Sequence, residues 1–81
     1  SEENESVLNE VEFIGSNGKV YRADRVMKVG NAVKIIDYKF GEHHRIYERQ
    51  LKKYAGIWSR LGYEDVTSYL WYVHTDEVVK V

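Results

Sequence analysis

The chain has 81 residues, 12 of them basic and 13 acidic, a net charge of −1 and no cysteine. That length gives one small domain with a marginal core, and the missing cysteines exclude a disulfide framework or a thiolate metal site and fit the reducing cytoplasm expected for it. No apolar run is long enough to span a membrane and no signal-peptide pattern is present, so no membrane partner is expected; the near-neutral charge argues against a free-standing nucleic-acid binder, which carries a basic balance.

Residues 1–10 are polar and acidic (Glu2, Glu3, Glu5, Glu10) and read as a lead-in, with a helical turn at Val7-Leu8 and the domain proper over residues 11–81. Because the chain opens on Ser1, a segment of a longer polypeptide is expected. Val11–Ile14 is a short strand, and Gly15-Ser16-Asn17-Gly18 a turn whose strongest element is Asn-Gly. Lys19–Val29 and Ala32–Phe40 are β-branched runs of period two, joined through Gly30-Asn31, and the three strands form an antiparallel meander. Gly41 ends that pattern. From about Glu42 to Leu61 the period is helical, with Tyr47, Leu51, Tyr54, Trp58 and Leu61 on one face. Gly62 is the expected residue just past the helix, with Tyr63 as the apolar contact beyond it. Val66–His74 is a fourth strand, Thr75-Asp76 a turn, and Glu77–Val81 a last edge strand. A right-handed crossover makes the third and fourth strands parallel neighbours. The fold class is therefore α/β: a mixed five-stranded sheet, order 1-2-3-4-5, with one long helix between strands 3 and 4.

The hairpin carries the chemistry. With a two-residue loop Val29 pairs with Ala32, and the same register extended outward sets Asp24 opposite Asp37, with Lys39 on the face of Asp37. Directly opposed like charges are destabilising and need a compensating cation. Two carboxylates beside a lysine suit a divalent ion of the Mg type, which takes oxygen ligands and promotes attack on phosphates. The competing reading makes them solvated strand acids paired with Arg22 or Lys39.

Asp24-Arg25-Val26, then Ile36-Asp37-Tyr38-Lys39-Phe40-Gly41, then Gln50-Leu51-Lys52-Lys53-Tyr54 resemble, in order, the second-strand acid, the D-X-K motif and the helical Q-X3-Y motif of the PD-(D/E)XK nuclease superfamily. The likeness is strongest to the RecB-like nuclease domains that end helicase–nuclease polypeptides, and covers roughly residues 18–81. It implies a restriction-endonuclease-like core and Mg²⁺- or Mn²⁺-dependent, exonuclease-like hydrolysis of DNA in repair and recombination, with DNA and the helicase region of the same polypeptide as partners. By the resemblance, Asp24, Asp37 and the backbone carbonyl of Tyr38 bind the metal, and Asp24, Asp37 and Lys39 are catalytic, the lysine acting on the attacking water and the phosphate. Gln50 and Tyr54 line the site or contact the nucleic-acid backbone. Phe40 stands where the family often has threonine, and is expected on the face opposite Lys39.

Other residues read more plainly. Trp58 belongs to the core, and His43-His44, at the start of the helix, to the surface. Arg45, Arg49, Lys52 and Lys53 form a basic helical face. Tyr69, Leu70, Trp71 and Tyr72 fill both faces of a buried strand or offer stacking platforms. Strands apolar on both faces with one helix leave a bare face, because the family's upstream helix falls before this segment. The isolated chain is therefore expected to form a homodimer with little or no activity. Two alternatives stand beside the nuclease: a nuclease-like domain that grips DNA without cutting it, and a small structural interaction module.

Overall fold

A computed structural model describes residues 5–81. In chain order these form β1 (Glu5–Ile14), β2 (Val20–Val29), β3 (Ala32–Lys39), α1 (Arg45–Arg60), β4 (Asp65–Tyr72) and β5 (Glu77–Lys80). The strands make one sheet in the order β1-β2-β3-β4-β5, antiparallel except between β3 and β4. This is the mixed α/β arrangement, with a single helix between the third and fourth strands, that the sequence pattern predicts. None of its helices is long and apolar enough to cross a membrane, among the described residues.

Three expectations are corrected. The first strand begins at Glu5, so residues 5–10 are not a lead-in and Val7-Leu8 is not a helical turn; Val7 pairs with Met27 and Leu8 with Val26. The driving force is the ten-residue length of β2, whose outer N–H and C=O groups would otherwise lack sheet partners. The rest of the expected lead-in, residues 1–4, lies outside the described residues. Second, α1 starts at Arg45, with His44 as N-cap at φ −138°, so both histidines precede the helix. Third, Leu61 is 59% exposed because it is the C-cap residue, where the helical stripe has run out.

The helix stop forms as its residues require. Gly62 takes φ +108°, its N–H donates to the Ser59 carbonyl at 3.0 Å, and the Tyr63 N–H donates to the Trp58 carbonyl at 3.4 Å. This pair of bonds is the Schellman closure, and the Tyr63 ring completes it by packing edge-on against Trp58 at 5.3 Å. Gly62→Ala puts a Cβ on a left-handed residue and should cost about 1–2 kcal/mol, read as a lower urea midpoint with an unchanged slope.

Leu51, Tyr54 and Trp58 of α1 pack on Val26, Val33, Ile35, Leu70 and Tyr72, all buried. The opposite face carries Ile36, Tyr38, Tyr69 and Trp71, half-buried, and Val78, 53% exposed. Both β3 and β4 are thus apolar on two sides, and α1 covers one of them.

A break in the sheet positions the site. From the Gly30 turn the β2–β3 ladder runs from Val29–Ala32 to Arg25–Ile36 and stops. On its other edge, β2 pairs with β1 on either side of Glu10–Asp24 but not there, and Glu10 sits at φ +56°. Ala23 and Val26 are both fully buried, and Leu8 and Val11 both pack on the core. Residues three apart on a strand point to opposite faces, so both strands change face together at this point. Beyond it β2 pairs with β1 alone, and a fork opens between β2 and β3.

Candidate active site

The fork leaves the Tyr38 N–H without a ladder acceptor, and Asp24 supplies one: Oδ2 accepts that N–H at 2.9 Å. Asp24 and Asp37 are therefore not an opposed ladder pair, as the extended register predicts. Their carboxyl groups are instead close enough for Asp24 to act on Asp37. Burial, and then this contact with Asp24, raise the Asp37 carboxyl above its ordinary value of 3.8. Lys39 pulls it down, with Nζ 3.0 Å from Asp37 Oδ2, but does not overcome the burial.

Lys39 is held from two sides. Besides Asp37, its ammonium faces the Tyr47 ring at 4.2 Å from the centroid, a cation–π contact. Tyr47 comes from the first turn of α1, so the helix fixes the lysine against the strand acids.

Asp24, Asp37, Tyr38, Lys39 and Gln50 line one cleft of about 670 Å³, joined by Glu12, Lys19 and Lys53. Tyr54 is not brought to it. Its ring is 1% exposed, its hydroxyl donates to the Val11 carbonyl at 2.9 Å, and burial raises its phenol above the usual value. It ties α1 to β1. His43 is also engaged elsewhere, stacked flat on Tyr72 at 3.6 Å with Nε2 3.3 Å from Glu77 Oε1. Of the basic helical face, Arg45, Arg49 and Lys52 gather around Glu48 on the outer side, and Lys53 turns to the cleft.

The donors suit a hard cation. Tyr38 N–H engages one oxygen of Asp24 and Lys39 one oxygen of Asp37, which leaves one oxygen on each. Among the described residues no group of three or more His, Cys, Asp or Glu side chains converges. Zinc prefers nitrogen and sulfur donors in a fuller protein shell. Mg²⁺ keeps several waters and is held through one or two carboxylates plus a phosphate, and the remaining oxygen on each of these carboxylates matches that need.

Sequence reasoning does not single out Glu12, Lys19 or the role of Tyr47, and it places Lys53 on the basic helical face without bringing it to the cleft. One signal was present: Lys53 is one helical step, i+3, from Gln50. Glu12 enters only because β1 and β2 travel together past the fork. No protein-family model matches the chain, and no curated protein matches it.

Proposed function

We propose that this chain is the central part of a metal-dependent deoxyribonuclease domain of the PD-(D/E)XK, RecB-like type. It hydrolyses DNA phosphodiesters, in the manner of an exonuclease, within a larger helicase–nuclease of DNA repair and recombination. One observation carries the reading: two neighbouring carboxyl groups and a lysine 3.0 Å from one of them lie in a common cleft.

Asp24 and Asp37 hold Mg²⁺ or Mn²⁺ with the Tyr38 carbonyl, and the ion, when bound, neutralises phosphate charge and lowers the pKa of water. Binding it also relieves the carboxylate contact that raises Asp37. The Lys39 ammonium, pinned between Asp37 and Tyr47, is a fixed positive charge where negative charge builds on the phosphate. Gln50 contacts the nucleic-acid backbone, while Tyr54 sets the position of the helix that carries it. The near-neutral net charge suits a domain to which a helicase region of the same polypeptide delivers DNA.

Calorimetric titration with Mn²⁺ tests the site. The parent should bind, and Asp37→Asn should lose at least tenfold in affinity; equal binding by both places the metal elsewhere. A second reading has one observation in its favour, that Asp24 serves as a hydrogen-bond acceptor within the fold. In that case the domain grips DNA or a protein without cutting, and Mn²⁺ binds no better than to any acidic surface.

The isolated chain should also self-associate through the half-buried face of Ile36, Tyr38, Tyr69 and Trp71, because apolar patches of this kind seek cover. Sedimentation at micromolar concentration should show a homodimer with little or no nuclease activity; a monomer that cuts DNA with Mg²⁺ counts against both statements.

A further inference from the structure

Next to the cleft, under the β1–β2 hairpin, lies a second cavity of about 410 Å³ that shares Tyr21 and Lys53 with it. Its size falls in the range of roughly 300–1,000 Å³ typical of small-molecule sites. Phe13, Tyr21 and Ile57 form its apolar wall, Lys53 and Arg60 stand over it, and no acidic residue lines it. The hairpin roof is well braced: Gly15 N–H donates to the Lys19 carbonyl at 2.8 Å, and Asn17 Oδ1 accepts the Lys19 N–H at 2.9 Å. A Cβ on Gly15 would stand 3.2 Å from the Tyr21 ring, so the roof closes tightly on that aromatic. Phe13 is braced in turn by Trp58 at 5.1 Å and Tyr54 at 5.5 Å.

Two cations over an aromatic and aliphatic wall are the elements of single-strand recognition. Positive side chains track the backbone, and any base can lie on the rings because every base has a π face. A base paired in a duplex is stacked between its neighbours and does not enter such a cavity without unstacking. Lys53 reaches both cavities, so adjacent phosphates of one strand can be followed from the acidic cleft to the helix end.

We infer that this second cavity is a subsite for one unpaired nucleotide, with its base against Phe13, Tyr21 and Ile57 and its phosphate held by Lys53 and Arg60. The assignment gives an unpaired strand a hold beside the cleft. It rests on the nuclease reading only in taking the neighbouring cleft to hold the reacting phosphodiester.

Fluorescence anisotropy with a labelled twelve-nucleotide oligothymidylate tests it, using the 81-residue chain at low salt in EDTA, where neither metal nor turnover enters. Lys53 and Arg60 are exposed, so Lys53→Ala/Arg60→Ala should keep the fold while weakening binding about tenfold. It should also reduce the slope of log K against log salt by about 1.4, two single-strand phosphate contacts at roughly 0.7 each. Lys34→Ala, an exposed lysine on the opposite sheet face, should leave affinity within twofold. An abasic oligomer of equal length should bind the parent at least fivefold more weakly, and a blunt duplex likewise. Equal binding of the abasic and thymidine oligomers overturns the subsite, as do equal affinities for the parent and the double variant, or no binding by the parent. Should Mn²⁺ fail to bind at Asp24 and Asp37 while the strand still depends on Lys53, Arg60 and its bases, the nuclease reading falls and the subsite stands.

Discussion

Lys39→Ala, in a complete domain containing this segment, should lower DNA cleavage by about 10²–10³-fold, the usual loss when one preorganised charge-stabilising group is removed. Mn²⁺ affinity should stay within a few-fold of the parent. The separation follows from position. Lys39 touches one Asp37 oxygen and the Tyr47 ring, and as a cation it can stabilise phosphate charge but cannot ligate a metal ion. Asp24→Ala should remove both metal binding and cleavage, and it also takes away the acceptor for the Tyr38 N–H. Burst and steady-state cleavage assays beside calorimetry read the two effects independently. Cleavage retained in Lys39→Ala means the lysine serves only as the counter-ion of Asp37.

Most of this fold was legible because its signals are local. The Gly30-Asn31 loop fixed the pairing of Val29 with Ala32, Gly62-Tyr63 fixed the helix end, and the apolar stripe identified Leu51, Tyr54 and Trp58 as buried. The first half of β1 was hidden for a physical reason. Leu8 and Val11 both reach the core although they lie three positions apart, so the strand shows no unbroken alternation of apolar and polar residues. The cause is the face change at Glu10 and Asp24, a property of two strands together that neither displays alone. That break also explains why the extended register misses how Asp24 meets Asp37. A ladder rule assumes that pairing continues, and here it ends one residue short so that a carboxylate can cap a backbone N–H. Asp24, Asp37, Lys39 and Gln50 were visible as a set because three lie on one hairpin. Tyr54 was a good core prediction and a poor surface one, since spacing places a ring but not its hydroxyl. Tyr47 and Lys53 needed the rotation of α1 over the sheet, which no local pattern states.

At pH 7, Mn²⁺ at a hundred times its dissociation constant should stabilise the parent by about 2.7 kcal/mol. In a domain of this size that corresponds to a rise of roughly 10–20 °C in melting temperature; Asp37→Asn should show almost none of it. The pH dependence has a definite sign. Burial and the Asp24 contact raise the Asp37 carboxyl in the folded chain above its ordinary 3.8, so the folded state holds that proton more tightly than the unfolded state. Without metal, Asp37 then contributes a stability that is present below 3.8 and lost as pH rises through its raised folded value. With metal the dependence reverses, because the ion competes with the same proton: its stabilisation is full above the raised value and fades as pH falls through it. The parent should therefore lose metal-free stability on going from acid to neutral pH through this residue, while Asp37→Asn, which has no proton to release there, should melt higher than the parent in EDTA at pH 7. Melting curves of both chains with EDTA and with Mn²⁺, across pH 4 to 8, give the four comparisons. If Asp37→Asn is the less stable chain in EDTA, the bond to Lys39 outweighs the cost of burying the carboxylate, and Asp37 holds the fold together rather than waiting for a cation.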